Sequence, residues 1–178
     1  MARCALIILD MQKGNFMEPQ PIFNGEKLVA KIVLLINKMR SVHIPIVYIQ
    51  NNGGSGDPDE PGTAGWEIHP SIEPRKGDLV IQKSYPDAFQ GTVLKKELDS
   101  RGIKKIIMVG LQSEFCIDTT CRRAFSLNYD VILVEDAHST WPSELLTPKQ
   151  IISHHNSVLG DWFVTLKKTY EILKEELG

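Results

Sequence analysis

The sequence predicts an α/β fold: a three-layer αβα arrangement whose central, mostly parallel sheet of about six strands carries helices on both faces. Three observations predict it. Short apolar runs alternate along the chain with amphipathic stretches. The runs are rich in β-branched residues and apolar at nearly every position, as strands buried on both faces of a parallel sheet are. The 178 residues suffice for one domain, expected over 1–178, and not comfortably for two.

Each element follows in order. Ala5-Leu-Ile-Ile-Leu9 is the first strand run and ends at Asp10. A helix is expected over Lys27–Arg40, where Leu28, Ile32, Leu35 and Ile36 keep the i, i+4, i+7, i+8 spacing of one buried stripe. Ile44–Ile49, Leu79–Ile81, Ile106–Val109 and Val131–Val134 repeat the strand signature. Thr92–Arg101 and Phe115–Leu127 are the next helical stretches. Pro148–Leu159 reads as a helix with proline in its first turn, where a missing N–H costs nothing. An extended Trp162–Leu166 and a closing helix over Lys168–Leu177 finish the chain. Strands and helices in alternation imply right-handed crossovers that cover both sheet faces.

One segment interrupts this rhythm. Residues 51–77 hold 6 of the 13 glycines and 4 of the 10 prolines. A loop of that length in a compact domain is usually functional or disordered. Trp66, Ile68 and His69 argue against disorder, because side chains of that size pack somewhere.

Composition excludes several classes of function. The 20 Lys and Arg against 22 Asp and Glu leave a formal charge of −2, so nothing electrostatic points to nucleic acid or an anionic membrane. No apolar stretch approaches the roughly 20 residues that cross a bilayer. The Ala5–Leu9 run is too short for a secretory signal, and a cytoplasmic location is expected. Three cysteines, Cys4, Cys116 and Cys121, are too few and too uneven for a disulfide framework.

Ligands of open α/β sheets bind outside the carboxyl ends of the strands, so reactive side chains there carry most weight. Asp10 follows the first run, Lys83 the third, and Cys116 opens the helix after the fourth. A cation and a helix N-terminus both favour a thiolate. A carboxylate can take the thiol proton and return it to a leaving amine. Singly, Asp10 suits a turn cap, Lys83 a solvated lysine and Cys116 an inert buried thiol. Their joint placement on one rim favours chemistry. Cys4 and Cys121 read as packing residues. Gln12, Phe16 and Phe115 are candidates to line a substrate pocket. Trp66 and Phe89 could stack on a planar substrate, with core packing as the competing reading for each.

These residues resemble the isochorismatase-like cysteine hydrolase superfamily, which includes nicotinamidases, N-carbamoylsarcosine amidases and ureido-acid amidases. Ile7-Ile-Leu-Asp-Met-Gln12 is similar to its first strand and aspartate. Gly62-Thr-Ala-Gly-Trp-Glu-Ile-His-Pro70 is similar to a family loop. Lys83-Ser-Tyr-Pro-Asp-Ala-Phe89 resembles its lysine motif. Gly110-Leu-Gln-Ser-Glu-Phe-Cys116, with Thr120, Arg122, Arg123 and Ala124, resembles the nucleophile motif. Glu135-Asp136-Ala137 follows the fifth strand as the family's aspartate-alanine does.

The resemblance implies an Asp10–Lys83–Cys116 triad and a thioester intermediate. It implies an oxyanion held by the backbone N–H groups of Gln112 and Cys116, and a cis peptide at Leu111–Gln112. It also implies a homodimer or homotetramer acting on a small carboxamide, carbamoyl or ureido compound. Two departures bear on the substrate. Where metal-dependent relatives carry Asp-x-His, this chain reads Gln50-Asn-Asn-Gly53, and only His69 lies nearby. No metal or other cofactor is therefore expected, and His69 is expected to order its loop. Ser113 replaces a threonine but keeps the hydroxyl. The alternative is a silent or vinyl-ether-cleaving member that serves as a small-molecule binding protein. A receiver domain would need a second acidic residue after the first strand, and Met11-Gln12 supplies none. A dinucleotide module would need G-x-G-x-x-G there, and one glycine stands in that turn.

Overall fold

A computed structural model describes residues 3–176. Six strands form one parallel sheet: β1 Arg3–Leu9, β2 Ile46–Asn51, β3 Leu79–Lys83, β4 Ile103–Leu111, β5 Asp130–Ser139 and β6 Thr165–Lys167. Their spatial order is β3-β2-β1-β4-β5-β6. The helices are α1 Gly25–Ser41, α2 Leu94–Ser100, α3 Asp118–Ser126, α4 Pro148–Gly160 and α5 Thr169–Lys174. The expected closing helix thus ends at Lys174, and its last expected residue, Leu177, lies outside the described residues.

β1 lies inside the sheet with a helical layer on either face, so its side chains alternate between two cores. Leu6 and Ile8 pack with Leu28, Ile32, Leu35, Ile36 and Met39 of α1 and Ile172 of α5. Ala5, Ile7 and Leu9 pack with Leu94 and Leu98 of α2, Cys121 and Ala124 of α3, and Leu159 of α4. Burying Leu6, Ile7, Ile8 and Leu9 contributes roughly 1.5–3 kcal/mol each. That fixes the strand whose end carries Asp10.

The edge strand β3 is longer than its apolar core suggested. Ile81 and Lys83 point inward and are buried, while Val80 and Gln82 are exposed. Lys83 therefore sits inside the strand with its side chain turned into the protein. The helix expected from Phe115 begins later, because Ser113–Ile117 form a wider π-type turn before α3.

The chain reverses the direction of its crossovers between β1 and β4, and the two strands come unusually close at their carboxyl ends. Gly110 pairs with Leu9 and has φ +119°, and a Cβ there would lie 2.1 Å from the Leu9 carbonyl oxygen. Only glycine fits such an approach. Gly110→Ala should destabilise the protein by roughly 2–4 kcal/mol. Thermal denaturation should show this as a Tm lowered by about 5–15 °C.

Candidate active site

Three strand ends meet above the point where the sheet reverses. Asp10 leaves β1 in a left-handed conformation, φ 53°, which aspartate tolerates better than most residues. Its N–H still donates to the Ile49 carbonyl at 2.9 Å. Its carboxylate is thereby lifted off the strand toward the rim. Lys83 ends β3, two strands away. Its aliphatic stem crosses the end of β2 and brings Nζ to 2.9 Å from Asp10 Oδ2 and 3.2 Å from Cys116 Sγ. Cys116 lies in the π-type turn that follows β4, where Phe115 and Ile117 both donate their N–H to the Gln112 carbonyl at 3.1 Å. The Leu111–Gln112 peptide is cis.

The Lys83 side chain is fully buried, and an ammonium has three protons to place. The third goes to Asn51 Oδ1 at 3.2 Å. Burial alone would lower the lysine pKa, but Asp10 and Cys116 outweigh it and the net direction is up. Lys83 is thus a buried cation. Burial raises the Asp10 carboxyl above its ordinary value, with Lys83 and the thiol opposing. The Cys116 thiol is pushed up to about 12, by burial first and the Asp10 carboxylate second, against the pull of Lys83. This differs from the thiolate favoured by a cation and a helix end alone. In the resting site desolvation wins, and the thiol keeps its proton beside a base.

The arrangement can move that proton without changing its net charge. With Asp10 ionised, Lys83 charged and Cys116 a thiol, the cluster is neutral overall. With the proton moved onto Asp10 and Cys116 a thiolate, it is neutral still. The ammonium contacts both anionic positions, so neither form strands a charge in a dry site, where an unpaired ion costs several kcal/mol. Asp10 Oδ1 is buried with no hydrogen-bond partner among the described residues. It is an oxygen with both lone pairs free to accept a proton.

The other sequence candidates fall in different places. Gln12 is fully buried. Its amide is committed to main chain: Oε1 accepts the Asn51 N–H at 2.7 Å, and Nε2 donates to the carbonyls of Asn51 and Trp66 at 2.9 and 3.1 Å. It braces the floor of the site. Trp66 is half-buried and donates Nε1–H to Asn52 Oδ1 at 3.0 Å, which ties the 51–77 loop to the end of β2. Phe89 is buried and stacks on Tyr129 within the α2–α3 core. Phe16 meets the edge of His69, ring centroids 4.8 Å apart, and lines a groove with Val29, Val33 and Leu34 of α1. Phe115 is 54% exposed, next to Cys116 in the chain. The long loop is ordered by such contacts. His69 N–H donates to the Met11 carbonyl at 2.9 Å, Lys13 N–H to the Glu67 carbonyl at 2.8 Å, and Ile72 is buried.

Several site residues escaped the sequence reading. Asn51 supplies the third lysine contact. Glu114 accepts from Thr140 Oγ1 at 2.7 Å and Gln112 Nε2 at 2.9 Å, bracing the turn that holds Cys116 against the residue that follows β5. Ser113 is hydrogen-bonded to buried His138 at 2.8 Å, and His138 to Asn156 of α4, also at 2.8 Å. Their signal is only polarity at buried positions, which periodicity does not reveal. Among the described residues, no group of three or more His, Cys, Asp and Glu is placed to hold a metal ion. None of the helices is long and apolar enough to cross a membrane.

The isochorismatase domain family matches residues 4–149. The chain is 31% identical over 137 residues to a streptothricin hydrolase of Streptomyces noursei, covering 77% of this chain and 50% of that protein. It spans about half the length of the streptothricin hydrolases it matches. It is 27% identical over 169 residues to the ureidoacrylate amidohydrolase of Variovorax paradoxus, covering 75% of this chain and 67% of that one. A crystal structure of an isochorismatase from Pseudomonas putida superimposes with a TM-score of 0.90 at 30% identity, covering 95% of this chain and 89% of that chain.

Removing the cation tests the electrostatics of the site without reference to activity. Lys83→Met leaves Asp10 buried and uncompensated, which should cost about 3–5 kcal/mol at pH 7. A carboxyl whose folded pKa is raised above its unfolded value is destabilising above that folded pKa, and the penalty fades as pH falls through it. The gap to the parent in urea denaturation should therefore narrow from pH 7 to pH 5.

Proposed function

The chain belongs to the isochorismatase family, and on that premise we propose that it is a cysteine hydrolase of carbon–nitrogen bonds in small carboxamide, carbamoyl or ureido compounds. The observation that carries this reading is the single ammonium held between carboxylate and thiol, 2.9 Å from one and 3.2 Å from the other. The streptothricin and ureidoacrylate hydrolases among its relatives support the same reaction class.

The proposed reading implies the following steps. Asp10 takes the thiol proton, and Cys116 Sγ attacks the substrate carbonyl carbon. Negative charge moves to the carbonyl oxygen, for which the N–H groups of Gln112 and Cys116 are the assigned donors. Asp10 passes its proton to the nitrogen, the C–N bond breaks, and ammonia or an amine leaves a thioester. Asp10 then takes a proton from water. The hydroxide attacks the thioester, the acid departs, and the thiolate recovers its proton. Lys83 remains paired throughout.

The matching assembly is a homodimer or homotetramer, with Phe115 available to a neighbouring copy. A reducing, cytoplasmic setting would keep the thiol unoxidised.

An ammonia-release screen against small amides, carbamoyl and ureido compounds should find turnover that Cys116→Ala lowers by at least about 10³-fold, with an unchanged circular dichroism spectrum. Retained turnover in that variant would sink the assignment. With an active substrate, kcat/KM should fall on the acid side at a pH above 3.8, the ordinary carboxyl value, because protonating Asp10 removes the base. No matching fall should occur at the ordinary thiol value of 9.0.

A further inference from the structure

Asn51 takes no part in the proposed chemistry, yet its main-chain and side-chain polar groups are all committed. It ends β2 in register with Lys83, and its N–H and carbonyl are both held by the Gln12 amide. Its side chain bridges two charges. Oδ1 accepts from Lys83 Nζ at 3.2 Å, and Nδ2 donates to Asp59 Oδ2 at 2.7 Å. A lysine offers only donors and a carboxylate only acceptors, so this amide has one workable orientation. Asp59 belongs to the 51–77 loop and is itself anchored. Its carbonyl accepts the Gly53 N–H at 3.1 Å. Its Oδ1 lies so close over Gly53 that a Cβ there would come within 2.2 Å. Through this carboxylate the loop is tied to the residue that holds the ammonium.

We propose that Asn51 and Asp59 are positioning residues for Lys83, and that the Asp59–Asn51–Lys83 chain makes the placement of the ammonium depend on the folded conformation of the 51–77 loop. The proposal rests on the triad reading above. Its physical basis is the count of protons. Two of the three ammonium N–H bonds face reacting groups, and only the third can fix the rotation of the head without taking part in the reaction. If Asp59 is removed, the Asn51 amide is free to flip and present Nδ2 to the lysine, donor against donor. The ammonium then loses its fixed rotation, and with it the steady support of the thiolate. Asp59 has a second, separable influence. The charged and titratable groups acting on Asp10 are Lys83, Cys116 and Asp59, and the Asp59 charge opposes ionisation of Asp10.

Two substitutions separate these effects. Asp59→Asn keeps an acceptor for Nδ2 and removes the charge, whereas Asp59→Ala removes both. The probe is iodoacetamide, with Cys116 alkylation followed by mass spectrometry across pH. Asp59→Asn, which keeps the Asn51 amide oriented, should alkylate within about threefold of the parent at pH 7. Asp59→Ala should react roughly tenfold more slowly than Asp59→Asn at pH 7, a usual size for coupling between touching groups. In an Asn51→Ala background, the two Asp59 variants should react alike. Equal rates with Asn51 intact, or a tenfold gap that survives Asn51→Ala, would overturn the proposal. Lys83→Met separates this outcome from failure of the triad: if it leaves the Cys116 alkylation rate unchanged, the triad reading itself fails.

Discussion

The fully buried ion pair between Lys83 and Asp10 is the constraint on which the rest of the site depends. A charged amine and a carboxylate, neither with meaningful access to water, are tolerable only while each neutralises the other. The fold must therefore hold them together from strands that are not neighbours. β1 and β3 are separated by β2, two strand spacings or about 9–10 Å apart. A compact residue at position 83 would leave a gap. A flexible four-carbon stem crosses it and delivers a point charge with three rotatable donors. The price falls on β2, which must end in a residue that accepts a hydrogen bond from the passing ammonium. Asn51 does so, and the Gln12 amide keeps the end of that strand straight by pairing with its main chain on both sides.

Cys116 is brought in from the opposite side by a different device. β4 closes on β1 at Gly110, where no side chain fits, and the chain leaves the sheet through the Leu111–Gln112 peptide into a π-type turn. That turn is braced on one flank by Glu114 and Thr140 and on the other by Ser113, His138 and Asn156. The His138 pKa is lowered to about 4, chiefly by burial, so the ring is neutral at physiological pH. It serves as a fixed strut between the turn and α4. Buried polar chains of this kind rigidify when every member is satisfied.

Much of this was legible in the sequence, for physical reasons that differ by residue. Runs such as Ala5–Leu9 and Ile106–Val109 are apolar at every position because both sheet faces are covered, and that pattern alone announces a parallel sheet. Asp10, Lys83 and Cys116 stood out because reactive side chains followed such runs. Gln12 and Phe89 show where the reading stops. Proximity along the chain to Asp10 or Lys83 does not reveal direction, and direction is set by tertiary packing. Gln12 turns under the site and Phe89 into the core with Tyr129. Asn51, Glu114 and His138 were invisible for a related reason. A polar residue at a strand end looks like the start of a loop until its buried partners are known. The thiol is a matter of balance rather than location: the helix and the cation were inferred, but not the desolvation that outweighs them.

The same electrostatic constraint accounts for a carboxylate at position 10. Histidine is the commoner partner of a catalytic cysteine, but consider it in place of Asp10. With Lys83 charged, a neutral imidazole beside a thiol would leave the buried cluster at +1. Proton transfer to that imidazole would keep it at +1, with two cations around one thiolate. Without the lysine, an aspartate–cysteine pair would carry −1 in both forms. With the ammonium in place, a carboxylate beside the thiol keeps the cluster neutral before and after the proton moves. A carboxylate base raised by burial is also a better proton acceptor than one in water. The lysine keeps that rise from becoming outright neutralisation. Identity at any one of these positions is thus set by the charge of the other two, and a compensating change elsewhere could not be made one residue at a time.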